Sequence, residues 1–187
     1  MSVLFANILL TTPQAFSLCE AGSVPQCSTI DQSKDLESML IGVSCLRANF
    51  VEERIVTNIS KPLSLKGNLL VVRGVGIVLQ QQTPVILTTA IGQQGVFEFD
   101  KQVSHFPADL QNTLVSLFSL QMNALVESFS VRHTSVGNQY LIKLLPTNRS
   151  LRSAISEVNL KGQCYPETIS ILQTNGESKT FTLSDII

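Results

Sequence analysis

Four cysteines and two histidines are the residues of this chain best suited to chemistry, and their spacing decides which chemistry is open to them. Cys19, Cys27, Cys45 and Cys164 form no Cys-x-x-Cys pair and have no histidine cluster beside them, so zinc binding and thioredoxin-like exchange find little support. His105 and His133 stand far apart in the sequence and in no metal-ligand spacing. There is no Gly-x-Ser-x-Gly, His-Glu-x-x-His or phosphate-binding loop, and Gly74-Val75-Gly76 lacks the third glycine and the following helix of a dinucleotide site. Between two strand-like runs, that Gly-x-Gly reads more simply as a hairpin turn. Hydrolysis of acyl esters would need a nucleophile and a base in a constellation the sequence does not display. The expectation is a protein that is not an enzyme and holds neither a cofactor nor a metal.

The cysteines then bear on compartment. Val3 to Leu10 is an apolar run, and Ala15-Phe16-Ser17 has the small-x-small form of a signal-peptidase site, although no Lys or Arg precedes the run. Residues 1–17 are therefore expected to be an export signal, with a short N-terminal strand or helix as the alternative, and 18–187 a single domain. An even cysteine count behind an export-like start favours disulfides over buried thiols. Of the three pairings that four cysteines allow, Cys19 with Cys27 and Cys45 with Cys164 is the one expected. Phe16-Ser17-Leu18 is a poor acceptor sequence for a lipid anchor on Cys19, and none is expected. Asn58-Ile59-Ser60 and Asn148-Arg149-Ser150 match a glycosylation pattern that arises often by chance.

Composition narrows the function class further. With 13 basic and 14 acidic residues in 187, the formal charge of −1 offers no field to draw nucleic acid or an acidic membrane. Only 14% of residues are charged and 44% are hydrophobic, against about 25% charged in an ordinary globular domain. That surplus of apolar surface implies either deep core or a lined cavity. No apolar run approaches the roughly 20 residues of a membrane-spanning helix.

The elements that would build such a cavity follow from periodicity. Leu36, Met39, Leu40, Val43 and Leu46 recur at three- and four-residue steps behind Asp31 and Ser33, which predicts a helix over 33–46. Strands are predicted over 49–57, 63–73, 77–82, 85–91 and 96–100, separated by Asn, Gly and Pro at hairpin spacing. A second helical segment carries Leu110, Leu114, Leu117, Phe118, Gln121 and Leu125 on one face, a face that needs something apolar to cover. Strands resume over 127–134, 139–145, 155–160, 168–173 and 179–184. Phe97 and Phe99, Phe129, Val131 and His133, and Phe181 and Leu183 alternate with polar neighbours, so each of these strands has one apolar face. The fold class expected is α+β, a strongly curved antiparallel sheet or unclosed β-barrel of about ten or eleven strands whose apolar concave side the helices cover.

The stretch Asn49 to Pro84 carries a family resemblance. Asn49-Phe50-Val51-Glu52, the strand from Gly67 to Arg73, Leu79 and Pro84 stand where the LolA-like periplasmic carriers of outer-membrane lipoproteins have a Phe-x-Gln strand, a Gly-led strand ending in Arg, a strand ending in Trp, and a Pro. Leu-Val-Glu-Ser-Phe-Ser-Val-Arg-His, the strand from Tyr140 to Pro146, the turn from Asn159 to Gly162 and the last Lys-Thr-Phe-Thr-Leu-Ser-Asp-Ile continue it, over roughly Leu36 to Ile186. Glu52 replaces the Gln and Leu79 the Trp.

The resemblance implies an unclosed barrel with a helical lid over a cavity that receives acyl chains. Arg73 would lock that lid through hydrogen bonds to its backbone carbonyls, a task suited to a guanidinium with several donors. Phe50, Leu69, Val71, Ile77, Leu79, Ile86 and Phe97 are the expected cavity lining on the strands, and Leu114, Leu117, Phe118 and Leu125 on the lid. The implied activity is a periplasmic carrier, working as a monomer, that shields the acyl chains of lipoproteins between an inner-membrane donor complex and an outer-membrane acceptor. The alternatives are a LolA-like accessory carrier for another lipid or polyene-type acyl product, and a protein-interaction module without transport.

Overall fold

The computed structural model of the chain describes residues 45–99, 101–103, 108–119, 121–163 and 165–187, with 108 and 109 described by their backbone. The export segment, Cys19, Cys27, Cys164, His105 and residues 33–44 of the first predicted helix lie outside them.

Alternation of apolar and polar residues produces eleven strands among the described residues: β1 Cys45–Ile55, β2 Leu63–Val72, β3 Gly76–Thr83, β4 Leu87–Gly92, β5 Gly95–Glu98, β6 Lys101–Gln102, β7 Phe129–Val136, β8 Gln139–Pro146, β9 Ile155–Gly162, β10 Pro166–Gln173 and β11 Ser178–Ser184. Helices α1 Ala108–Phe118 and α2 Met122–Ser128 interrupt the strands once, and α3 Arg149–Ala154 interrupts them again. All strands join one sheet in the order β6-β5-β4-β3-β2-β1-β11-β10-β9-β8-β7. Every neighbouring pair is antiparallel. The first and last strands therefore pair in the middle of the sheet, and β6 and β7 are its two edges, so the sheet does not close into a barrel.

Its curvature follows from distance. Val75, in the turn before β3, and Phe129, the first residue of β7, line one cleft of about 380 Å³. In a flat sheet the seven strand spacings between β3 and β7 would hold them about 34 Å apart. The sheet must curl to bring them together. One face thereby becomes an inner face. On it lie Leu46, Ala48 and Phe50 of β1, Leu69 and Val71 of β2, Ile77 of β3, and Ile142 and Leu144 of β8, all buried in one apolar cluster with Leu117, Phe118 and Leu125 of the helices.

Two predicted boundaries moved for physical reasons. Cys45 and Leu46, expected to end a helix, open β1 instead: Leu46 begins the strand alternation Leu46, Ala48, Phe50 and pairs with Val71. The second helical segment is two helices. Ser119 N–H bonds the carbonyl of Val115 at 3.0 Å, but Gln121 N–H reaches back five residues to the carbonyl of Ser116, also at 3.0 Å, and the chain turns before α2. The Ser119 hydroxyl adds a bond to the same Val115 carbonyl at 2.6 Å, a back-bond that competes with regular helix.

The Gly74-Val75-Gly76 segment is the β2–β3 turn. Gly76 has φ +153° and a Cβ there would sit 2.1 Å from the carbonyl oxygen of Ile91, so the position admits only glycine. Asn148 caps α3, its side-chain oxygen accepting from Leu151 N–H at 2.8 Å. Cys45 is disulfide-bonded.

Candidate functional site

The inner face is made by residues two apart on each strand, and cross-strand register fixes which they are. Leu69 stands opposite Leu79, and Val71 opposite Ile77, which stands opposite Ile91. Phe50 pairs with Leu183, and Glu52 with Phe181. Phe181 in turn pairs with Ile169, which pairs with Leu160 and then Ile142. The face is therefore a continuous apolar floor from β4 to β8.

Helix α1 fills it. Leu117 is fully buried, and the Phe118 ring meets the Phe181 ring edge-on with centroids 5.2 Å apart and planes at 84°. Phe50 flanks Phe181 at 6.1 Å. Leu125 and Met122 of α2 continue the packing, and Leu114 borders it half-buried. A polar tie joins the helix to the strands, for the Gln111 amide donates to the carbonyl of Gly92.

The expected residues divide accordingly. Phe50, Leu69, Val71, Ile77 and Leu79 share the inner face, and Leu117, Phe118 and Leu125 pack on it. Two stand elsewhere. Ile86 lies in the β3–β4 connection, outside both strands, and is 75% exposed. Phe97 pairs with Ala90, which pairs with Val78, placing it on the outer face. That outer face has its own small apolar cluster, Leu70 with Val78, Val72, Ala90 and Cys45. Arg73 is exposed in the β2–β3 turn and makes no hydrogen bond or ion pair among the described residues. His133 is exposed on β7.

Charge appears at one end of the inner face. Glu52 is buried, and its carboxylate takes two hydrogen bonds from the Arg54 guanidinium, at 2.6 and 3.0 Å. Lys179 pairs directly with Arg54 across β1 and β11. Burial, and then the Arg54 charge, push the Lys179 ammonium below its usual range, while Glu52 and Glu177 oppose the shift. Elsewhere on the face, the Tyr140 hydroxyl is buried with no hydrogen-bond partner among the described residues. Burial, with a smaller contribution from the Glu167 charge, raises its pKa far above the ordinary phenol value.

The cleft lies at the rim of this face, where α1 meets the α2–β7 junction. Asn112, Thr113 and Ser116 of α1 line it together with Gln121, Glu127, Ser128 and Asn148, while Leu125 and Phe129 form its apolar floor. Periodicity gave no sign of it. Thr113 and Ser116 are polar residues at buried positions, whereas an amphipathic pattern assigns polar residues to the solvent side.

An open antiparallel sheet curled around its own helices is the class of fold these features define. Neither a protein-family model nor a curated protein sequence matches the chain. Solved structures similar to it include a LolA superfamily protein from Nitrosomonas europaea, 12% identical, with a TM-score of 0.44 over 80% of this chain and 88% of that one. A putative outer membrane lipoprotein-sorting protein domain from Vibrio parahaemolyticus is 12% identical, with a TM-score of 0.38 over 81% of this chain and 88% of that one. The MucA/MucB complex of Pseudomonas aeruginosa is 11% identical, with a TM-score of 0.41 over 76% of this chain but only 51% of that one.

Proposed function

We propose that this protein is a non-catalytic carrier of acyl chains, which take the place of α1 and α2 on the inner face of the sheet. The observation that carries the reading is the seat of Leu117 and Phe118: a short helix buries both residues against the inner face of an open sheet. Burial of one CH₂ is worth about 0.8 kcal/mol, so a sixteen-carbon chain alone gains on the order of 10 kcal/mol. Cargo held that tightly would scarcely leave. A helix that covers the same surface when cargo is absent offsets the gain, because net affinity is the difference between two burials.

By its resemblance the cargo is an acylated lipoprotein moved through the periplasm between inner and outer membranes. A second cargo class, another lipid or a polyene-type acyl product, is favoured by Leu79, half-buried on the inner face where the family pattern has Trp. Native mass spectrometry of protein purified from its own cells, with organic extraction of bound material, tests both. An acylated lipoprotein is expected. A free lipid or polyene would transfer the reading to the second class, and a protein that is empty and refuses added acyl chains would leave a module for binding protein partners.

A further inference from the structure

The two edges of the sheet are not equally protected. β6 is two residues long, and a strand that short offers a partner almost nothing to pair with. β7 at the other edge runs over Phe129–Val136, with neither proline nor glycine and no bulge in its register with β8. Its hydrogen-bonding alternation is fixed at both ends. Gly137 and Asn138 form a two-residue turn that makes Val136 and Gln139 the closing pair, so even-numbered residues of β7 exchange bonds with β8 and odd-numbered ones face away. At the other end Thr147 N–H donates to the Ser128 carbonyl at 2.9 Å, whereas Phe129 N–H turns to the Leu125 carbonyl. The backbone groups of Val131, His133 and Ser135 therefore face out of the sheet. No hydrogen bond among the described residues reaches them.

The side chains beside this edge decide what it can accept. Arg132 lies on the outer face directly opposite Lys143, and like charges so placed disfavour each other. Glu157 engages Lys143 from β9 at 2.8 Å, while Arg132 is exposed and has no carboxylate partner among the described residues. A strand added to β7 would run about 4.8 Å away and set one of its own residues opposite Arg132. A carboxylate there answers the charge, whereas a second copy of this chain would bring Arg132 and Lys143 of its own. On the inner side Val131 packs against the apolar cluster that includes Phe129, so an apolar neighbour suits that face of the added strand.

We infer that β7 takes up, by strand addition, an extended segment of a partner polypeptide in which acidic residues alternate with apolar ones. Main-chain bonds at Val131, His133 and Ser135 supply affinity, and Arg132 selects by charge. These residues lie outside α1 and α2, so the inference is independent of the carrier reading and holds whether or not cargo displaces the helices.

Nuclear magnetic resonance titration of the full chain with a blocked peptide of alternating valine and glutamate, and with its lysine counterpart, tests the site. The glutamate peptide is expected to shift the Val131, His133 and Ser135 amides, slow their hydrogen exchange, and bind roughly tenfold more tightly than the lysine peptide. Arg132→Glu should invert that preference. His133→Pro removes one outward N–H and spares the bonds to β8, a change that edge strands tolerate, and it should abolish binding. Equal binding of the two peptides, a preference unchanged in Arg132→Glu, or binding unchanged in His133→Pro overturns the inference. Slow exchange of the three amides before any peptide is added would show the edge already paired, and a dimer that His133→Pro dissolves would put a second copy in the partner's place; either result overturns it as well.

Discussion

Phe118 of α1 and Phe181 of β11 meet edge to face, 5.2 Å between ring centroids, and the contact joins a helix to the strand that closes the sheet against β1. Edge-to-face pairs are worth about 0.5–1.5 kcal/mol beyond the area they bury. The contact holds the helix in place, and under the proposed carrier function it is also the contact an acyl chain must replace. Stability and affinity are thereby opposed at one pair of residues.

Phe118→Ala separates the two quantities. Truncation of a buried Phe costs about 3–5 kcal/mol, so urea denaturation should show a loss in that range. Acyl affinity should move in the opposite direction, tenfold for about each 1.4 kcal/mol removed from the covered state relative to the displaced one. A variant that is destabilised yet binds acyl chains no better would show that the helix does not compete with cargo.

Two ion pairs among the described residues should differ in weight. Arg54→Ala leaves the buried Glu52 carboxylate without its partner, at a cost of about 1–3 kcal/mol. Lys143→Ala breaks a more exposed pair with Glu157 on the outer face, worth under about 1 kcal/mol. Comparable losses in the two variants would mean that Glu52 is better solvated than its burial implies.

Tyr140→Phe removes a hydroxyl that is buried without a partner among the described residues and keeps the ring. An unsatisfied buried polar group costs about 1–3 kcal/mol, so the variant should be as stable as the parent or more so. A clear loss of stability would reveal a hydrogen bond on that oxygen.

The alkaline limb carries two opposite signs. Lys179 has a depressed pKa when folded, so between that value and about 10.4 the unfolded chain binds more protons and stability rises with pH. Tyr140 and Tyr165 have raised values, so above about pH 10 the folded chain binds more protons and stability falls. Denaturation midpoints across this range should rise and then drop. Lys179→Met should remove the rise, and Tyr140→Phe should weaken the drop.

Much of this architecture was legible in the residues. Strict alternation located β7 and β11, and the Phe181 and Leu183 positions proved to face inward. It failed at Leu69 and Leu70, because Leu70 packs outward against Val78 in a second cluster. A two-residue strand such as β6 is too short to show any period. The break between α1 and α2 hides in side-chain bonding at Ser119, which apolar spacing does not register. For the site, the apolar floor could be read, but the cleft could not: Thr113, Asn148 and Val75 become neighbours of one space only once the sheet has curled.

The proposed carrier function depends on acyl chains displacing α1 from the inner face. The most direct measurement is the distance between spin labels at Asn112 on α1 and Thr182 on the outer side of β11, both exposed, before and after saturation with a monoacyl ligand. The distance is expected to lengthen and its distribution to broaden as ligand binds. A ligand that binds while the distance stays fixed would contradict it.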